Sequence, residues 1–349
     1  MLRRTRRRAA FSLVEVLVAL FIMAAALIAL LSLFPVGAWQ MAHAMRDDRS
    51  QQKALLADAR LRHDYRETVF ETPPAGREVN DYSVIAAGMT TFGGQPAVVG
   101  AVPSYPILVD SVGYYSYPSK QNWVAGVNNG VHRATPRRLL GGTPTPWNLT
   151  TALRYATLHD DMEFAPDGTP ADRDGLAVNA SSLIFRQGRF TSAALLQRPD
   201  NTNPRVVGVK VLVFDRRPAG VDSATAELSW PVNVAVGTTI IDLPASVDAV
   251  PLRAGGWIMD ATVIDPAPAG QFATPNAGTG IRNGNFYKVQ SVADVGGTTT
   301  RVELQTPVVV PTGSPNTTTY TGRFVVFEHL IDVYDRPHLT PNGYQKQTP

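Results

Sequence analysis

One carboxylate stands where a carboxylate is costly. From Phe11 to Trp39 the chain is apolar, and Glu15 is the only charged side chain in that run. In a membrane such a charge costs a few kcal/mol, and charges kept there usually serve a function and have a partner. The competing reading is a charge resting among lipid headgroups, beside the arginines that precede it. Other reactive constellations are missing. The six histidines (His43, His63, His132, His159, His329 and His338) include no i,i+4 pair, and there is no cysteine. Neither a helical zinc-protease site nor a thiolate nucleophile is encoded. No Gly-x-Ser-x-Gly elbow and no Gly-Lys-Ser/Thr phosphate loop occurs. Asp172-Arg173-Asp174-Gly175 is a fragment of a calcium loop, which makes Asp172 and Asp174 the metal candidates. The full Asp-x-Asp-x-Asp-Gly run and its distal Glu are absent. Asp-Gly pairs turn the chain without an ion, so a turn is the preferred reading. No catalytic residue and no cofactor is assigned, and the chain reads as a non-enzyme.

The segment that positions Glu15 has a definite architecture. Five arginines lie in Met1–Ala10 with no acid among them, and none lies inside the apolar run. About 20 apolar residues cross a bilayer as a helix, so this run predicts a membrane-spanning helix over 11–39. A secretory signal peptide has an apolar core of only about 7–15 residues, too short to match. Ala42-His43-Ala44 mimics a signal-peptidase site but follows Pro35 and Gly37 at an awkward distance. The arginines form a cluster rather than a twin-arginine signal. They account for more than the whole formal charge of +3 and leave the remainder slightly acidic. The basic pI is therefore a property of the leader and does not point to nucleic acid. Basic residues stay cytoplasmic, which sends the rest of the chain to the other side.

A basic leader, the small residue Ala10, the motif Phe11-Ser12-Leu13-Val14-Glu15 and a long apolar helix together resemble the N-terminus of type IV prepilins and type II secretion pseudopilins. The continuation Val16-Leu17-Val18-Ala19-Leu20 is most similar to the minor-pilin and minor-pseudopilin branch. Ala10 stands where that family usually has Gly. The resemblance implies cleavage between Ala10 and Phe11 by a prepilin peptidase/methyltransferase, N-methylation of Phe11, and pairing of Glu15 with the N-terminal amine of a neighbouring subunit. It also implies other pilin or pseudopilin subunits and an inner-membrane assembly platform as partners. The protein would sit in the bacterial inner membrane as a single-pass protein, leader cytoplasmic and head periplasmic, before entering a filament or reaching the cell surface.

The rest of the chain predicts an α+β protein: a pilin-like long N-terminal helix packed on an antiparallel sheet, plus a C-terminal all-β small barrel or sandwich. The expected organisation is a leader over 1–10, the helix over 11–72, a pilin-like α/β head over 73–220, a β domain over 221–336 and a flexible tail over 337–349. Met41, Met45, Leu55, Leu56, Ala59 and Val69 give the helix an interrupted apolar stripe. Asp58 with Arg62, and Arg60 with Asp64, form i,i+4 pairs. Asp81–Ala87, Ala97–Val102 and Ile107–Val112 read as strands. Tyr114-Tyr115-Ser116-Tyr117 reads as half-buried loop packing. Gln121–Gly142 reads as a long loop with Arg133, Arg137 and Arg138 as a basic cluster, and Trp147–Leu158 as a short helix. Gly188–Gln197 and Val206–Arg216 predict a hairpin. The second strand is apolar on both faces apart from Lys210, as expected for a strand covered on both sides. Thr238–Leu243, Gly256–Ile264, Asn285–Val292, Thr300–Val310 and Arg323–Asp335 give five further strands. These features suit a structural subunit of a type IV pilus or type II secretion filament. The alternative is a tip adhesin or cargo-binding module that uses the C-terminal β domain.

Overall fold

The computed structural model describes residues 13–71, 78–91, 97–98, 100–116, 131–140, 143–147, 149–157, 162–163, 184–185, 190–217, 227–264, 281–310 and 318–341. The chain divides into two compact units, Met1–Arg49 and Ser50–Pro349. Helix α1 runs from Leu13 to Tyr65 and carries Pro35 inside it. In the first unit its large apolar side chains are exposed on successive positions, from Leu13 and Val14 through Leu17, Leu20 and Phe21 to Trp39. Among the described residues no helix is long and apolar enough to cross a membrane. The side chains at 29, 30, 32 and 33, within the apolar run, lie outside the described set.

The second unit begins with the last turns of α1, which continue as a π-turn over Arg66–Phe70. The first strands and helices follow as β1 (Val79–Asp81), α2 (Ser83–Gly88), β2 (Ile107–Val109) and α3 (Ser111–Ser116). Then come β3 (Arg133–Ala134), β4 (Arg137–Leu140), β5 (Thr143–Pro146), α4 (Leu149–Ala156), β6 (Met162–Glu163) and β7 (Ile184–Phe185). Two long strands, β8 (Phe190–Gln197) and β9 (Val207–Asp215), lead into β10 (Glu227–Ala235), β11 (Ile240–Leu243) and β12 (Trp257–Asp260). The chain closes with β13 (Val263–Ile264), β14 (Ile281–Arg282), β15 (Asn285–Val295), β16 (Thr299–Leu304), β17 (Thr319–Phe327) and β18 (Leu330–Leu339).

Two sheets organise these elements. One has the order β18-β9-β8-β2-β3, antiparallel except for the β2–β3 pair. The other has six antiparallel strands in the order β10-β17-β12-β15-β16-β11. Its end strands β10 and β11 approach each other without a ladder, so the sheet is a nearly closed barrel. This is the expected α+β architecture. The β8–β9 hairpin forms as expected, with Phe190 opposite Asp215 and Gln197 opposite Gly208.

Strand β9 explains why the layers stack. Val209, Val211 and Val213 point into a core shared with Ala54, Leu61 and Tyr65 of α1. Leu212 and Phe214, on the alternate positions, pack with Met259 of β12 and with Val325 and Phe327 of β17. The next residues of those barrel strands, Ile258, Phe324 and Val326, turn into the barrel core with Tyr287, Val302 and Leu304. Alternation along a strand thus feeds three cores in succession. Each fully buried apolar side chain contributes about 1.5–3 kcal/mol.

Several local expectations fail. Residues 83–88 form α2 rather than a strand, and no strand forms over 97–102 among the described residues. Residues 111–116 form α3, where Tyr114 and Tyr115 are half-buried as expected, though on a helix. The expected long loop contains β3 and β4, and its arginines disperse. Arg138 pairs with Glu78, and Arg133 is buried. The helix stripe is shifted. Leu55 and Ala59 are exposed while Ala54 and Leu61 are buried, because small residues let the helix approach the sheet. Asp58 pairs with Arg62 at 2.9 Å, but Arg60 donates to the Tyr155 carbonyl instead of meeting Asp64. The stretch over 323–335 is two strands in different sheets, broken at His329, whose φ of 67° is rare for a residue with a side chain. The expected boundary at 336 falls inside β18, which returns to pair with β9. The tail over 342–349 lies outside the described residues.

A buried charge network joins the sheet to the first barrel strand. Arg133 of β3 donates to Asp110 at 3.0 Å and to Glu227, the first residue of β10. Arg217, after β9, adds two bonds to Asp110 at 2.7 and 2.6 Å and lies over the Phe214 ring. At Gly113 a Cβ would collide with the Asp110 carboxylate and the Arg217 guanidinium, so only glycine fits. Burial alone would raise the Asp110 carboxyl, but the two guanidiniums override it and hold it down at about 2. Asp110 therefore contributes stability that is present above the ordinary value of 3.8 and is lost as pH falls through about 2. Removing one partner of such a pair costs about 3–5 kcal/mol. Arg133→Met should lower the unfolding free energy of the full chain by that order in denaturant titration; a change of less than about 1 kcal/mol would show the network to be dispensable.

Candidate functional site

The chemistry singled out in the sequence sits at the start of α1. Glu15 is the acidic residue of its first turn and is solvent-exposed. An acid there complements the positive end of the helix dipole. Ala10 and Phe11, the processing pair, lie outside the described residues, as do the calcium candidates Asp172 and Asp174.

One group of potential metal ligands occurs among the described residues: His63, Asp64 and Glu67, at the end of α1 and the start of the π-turn. Its members are already engaged. His63 Nε2 lies 3.7 Å from Glu67. Asp64 Oδ2 accepts from the Tyr155 hydroxyl at 2.7 Å and from Asn80 Nδ2 at 3.0 Å. Tyr155 in turn meets the Tyr82 hydroxyl at 3.1 Å and packs against Trp147. Burial raises the Asp64 carboxyl above its ordinary value, against the lowering effect of the Tyr155 and Asn80 hydrogen bonds. This network ties helix α1 to α4 and β1.

A second buried carboxylate lies in the barrel wall. Asp260 accepts from the Thr262 amide at 3.1 Å, from Asn283 at 2.6 Å and from the Tyr320 hydroxyl at 2.6 Å. Burial raises its carboxyl too. Both of its oxygens are committed, which suits a structural corner.

Sequence reasoning missed one group with open chemistry. Lys210 lines a cavity of about 290 Å³ together with Arg336 and His338 of β18. Its one signal in the sequence was a lysine in an otherwise apolar strand.

Comparison with known proteins bears on the N-terminus. The profile of the prokaryotic N-terminal methylation motif matches residues 5–31. No curated protein matches the chain. Among solved structures, the Phage phi92 endosialidase matches 43% of this chain and 18% of its own length, at 13% identity and a TM-score of 0.16. The present chain thus spans under a fifth of that protein, and a likeness at that level carries no argument.

The Asp64 network makes its own prediction. Its raised carboxyl means that the ionised form is disfavoured in the fold, so its contribution is greatest at low pH and declines as pH rises through the folded value. Asp64→Asn keeps an acceptor for Tyr155 and Asn80 without the charge. It should leave the unfolding free energy at neutral pH unchanged or raised, whereas Asp64→Ala should lower it by about 1–3 kcal/mol, since two donors lose their acceptor. Denaturant titration of both variants checks this; equal losses in the two would show that the charge itself is needed.

The motif implies processing by a peptidase and assembly with other pilin subunits, and it belongs to a structural family rather than an enzyme family. The methylation motif over residues 5–31, at the head of an α+β fold led by a long helix, supports a type IV prepilin- or pseudopilin-type protein.

Proposed function

We propose that this chain is a minor pilin or pseudopilin, cut between Ala10 and Phe11, N-methylated at Phe11, and built into a filament through helix α1. The observation that carries the reading is the coincidence of the methylation motif with a helix whose apolar side chains are exposed in the monomer. Leu13, Phe21 and Phe34 are 78%, 75% and 78% exposed. A monomer in water rarely keeps so large an apolar surface open. Lipid covers it before assembly and neighbouring helices cover it afterwards. On this reading residues 11–39 anchor the protein in the inner membrane as a single pass, with the arginine leader cytoplasmic. Trp39, packed edge-on against His43 at 4.3 Å, suits the water interface at the far end of the run. The prepilin peptidase/methyltransferase and the inner-membrane assembly platform are the implied partners. The size of the head favours a minor or tip position, because the bulk of a major subunit is repeated at every step of a filament.

Glu15 is assigned the assembly contact with a neighbour's N-terminal amine. Each charge is expensive alone in a low-dielectric bundle and tolerable when paired. N-terminal mass spectrometry of the membrane-extracted protein should find a chain starting at Phe11 with a methylated amine. A start near Met45 would mean an ordinary signal peptide and end the proposal. Glu15→Ala should leave membrane insertion and cleavage intact while reducing incorporation into sheared filaments by orders of magnitude, in keeping with a loss of about 3–5 kcal/mol. Glu15→Val, which adds apolar bulk without charge, should behave the same way. Wild-type levels of incorporation for either variant would leave Glu15 as an interfacial charge only.

A further inference from the structure

The end of α1 gathers an imidazole and two carboxylates on one surface. His63, Asp64 and Glu67 each offer an atom, and these atoms lie within 4.8 Å of one another. Residues three and four apart are neighbours on a helix, so Glu67 sits one turn on from both Asp64 and His63. His63 Nε2 stands 3.7 Å from Glu67 Oε2. That is long for a hydrogen bond. It is close to the separation of two ligands on one ion, since bonds of about 2.0–2.2 Å set tetrahedral ligands about 3.3–3.6 Å apart. The His63 side chain is 62% exposed, which leaves the group open to an ion from solvent, while Asp64 is buried beneath it.

The buried carboxylate is held from behind. The hydrogen bonds from Tyr155 and Asn80 both fall on Asp64 Oδ2, and Oδ1 accepts none among the described residues. Donors placed in this way orient a ligating carboxylate and leave its second oxygen for the metal. The backbone is fixed as well. The Thr68 hydroxyl donates to the Asp64 carbonyl at 2.9 Å and accepts from the Tyr82 amide at 3.1 Å. The turn that carries Glu67 is wide, closed by the Glu71 amide on the Arg66 carbonyl at 3.0 Å. Turns of this π type are rare and are frequent at functional sites. The carbonyl end of a helix also favours a cation.

The donor set selects the ion. Two carboxylates balance the charge of a divalent cation. Calcium and magnesium take oxygen ligands, and one of the three atoms here is an imidazole nitrogen. Zinc takes nitrogen and carboxylate oxygen together, and sites with three protein ligands keep a further position open. We propose that His63, Asp64 and Glu67 form a site for a divalent metal of the zinc class, with water in the open position. The bound ion would join the last turns of α1 to β1 and α4 through Asn80 and Tyr155. This goes beyond the filament role and does not depend on it.

Isothermal titration of the full chain in detergent, freed of metal by a chelator and dialysed, tests the site with Zn²⁺ as the probe and Ca²⁺ and Mg²⁺ as comparators. Zinc should bind saturably at one site per chain, and both comparators should bind about tenfold or more weakly. His63→Ala removes an exposed ligand. It should weaken zinc by about tenfold or more, at least what loss of a supporting residue costs a metal site, and leave the thermal midpoint of the metal-free chain unchanged. Asp64→Asn, which keeps an acceptor for Tyr155 and Asn80, should weaken zinc in the same way. His43→Ala, exposed on α1 outside the site, should bind as wild type does. Zinc in excess should raise the thermal midpoint of wild type by mass action on the folded state, and should not raise that of His63→Ala. No saturable zinc binding, calcium or magnesium bound as tightly as zinc, a folded His63→Ala that binds like wild type, or an equal loss in His43→Ala would overturn the proposal.

Discussion

Strand β9 has no solvent face, and the architecture of the second unit follows from that. A strand apolar on both sides must be covered on both sides. Helix α1 covers one side through Ala54, Leu61 and Tyr65. The other side needs a second layer of comparable area, and strands β12 and β17 supply it through Met259, Val325 and Phe327. Those strands cannot end there. Their alternate residues are equally apolar and need a core of their own, which the barrel provides by curling nearly closed around Ile258, Phe324 and Val326. Helix, sheet and barrel are thus three consequences of one two-sided strand and two two-sided neighbours.

Burial of charge works on a different scale. The Asp110–Arg133–Glu227–Arg217 network gathers two acids and two guanidiniums with almost no exposure. Desolvating each ion costs several kcal/mol, and a well-packed apolar substitute for the whole set would often be as stable or more so. Net stabilisation is therefore a poor reason for such a cluster. What it adds is discrimination. β10 can start against the β2–β3 edge in one way only, because any slip leaves Glu227 and Arg133 apart in a dry interior. The apolar layers tolerate small shifts, and the charges do not. The same logic makes Gly113 obligatory, since the network closes over its bare Cα.

Legibility from sequence tracked how local the physics was. The segment around Glu15 was readable because charge, small residue and apolar length lie within one stretch of chain, and the profile match covers the same stretch. The β8–β9 hairpin was readable because a turn-rich link joins two apolar runs. Residues 83–88 were misread as a strand because a short apolar run has no period long enough to separate helix from strand. β10 was not anticipated, since Pro231 interrupts it, and its place at one end of the barrel order leaves the proline outside any central ladder. Arg133 reads in the sequence as part of a local basic cluster because its partners, Asp110 and Glu227, lie 23 and 94 residues away. No window along the chain contains that information.

The return of β18 joins these scales. After β17 the chain leaves the barrel at His329, reverses through a left-handed conformation, and lies down beside β9 on the edge of the first sheet. An edge strand need not match its neighbour along its whole length, and this one slips at Pro337, where proline has no amide hydrogen to offer the ladder. The carbonyls freed by the slip are taken up by Arg62 from the helix. Space then opens over Gly208, beside Lys210 of β9. A chain that ended with the barrel would leave β9 an open edge and Lys210 without Asp335 and His338 beside it. The strand that completes the sheet is therefore also the one that makes the cavity polar.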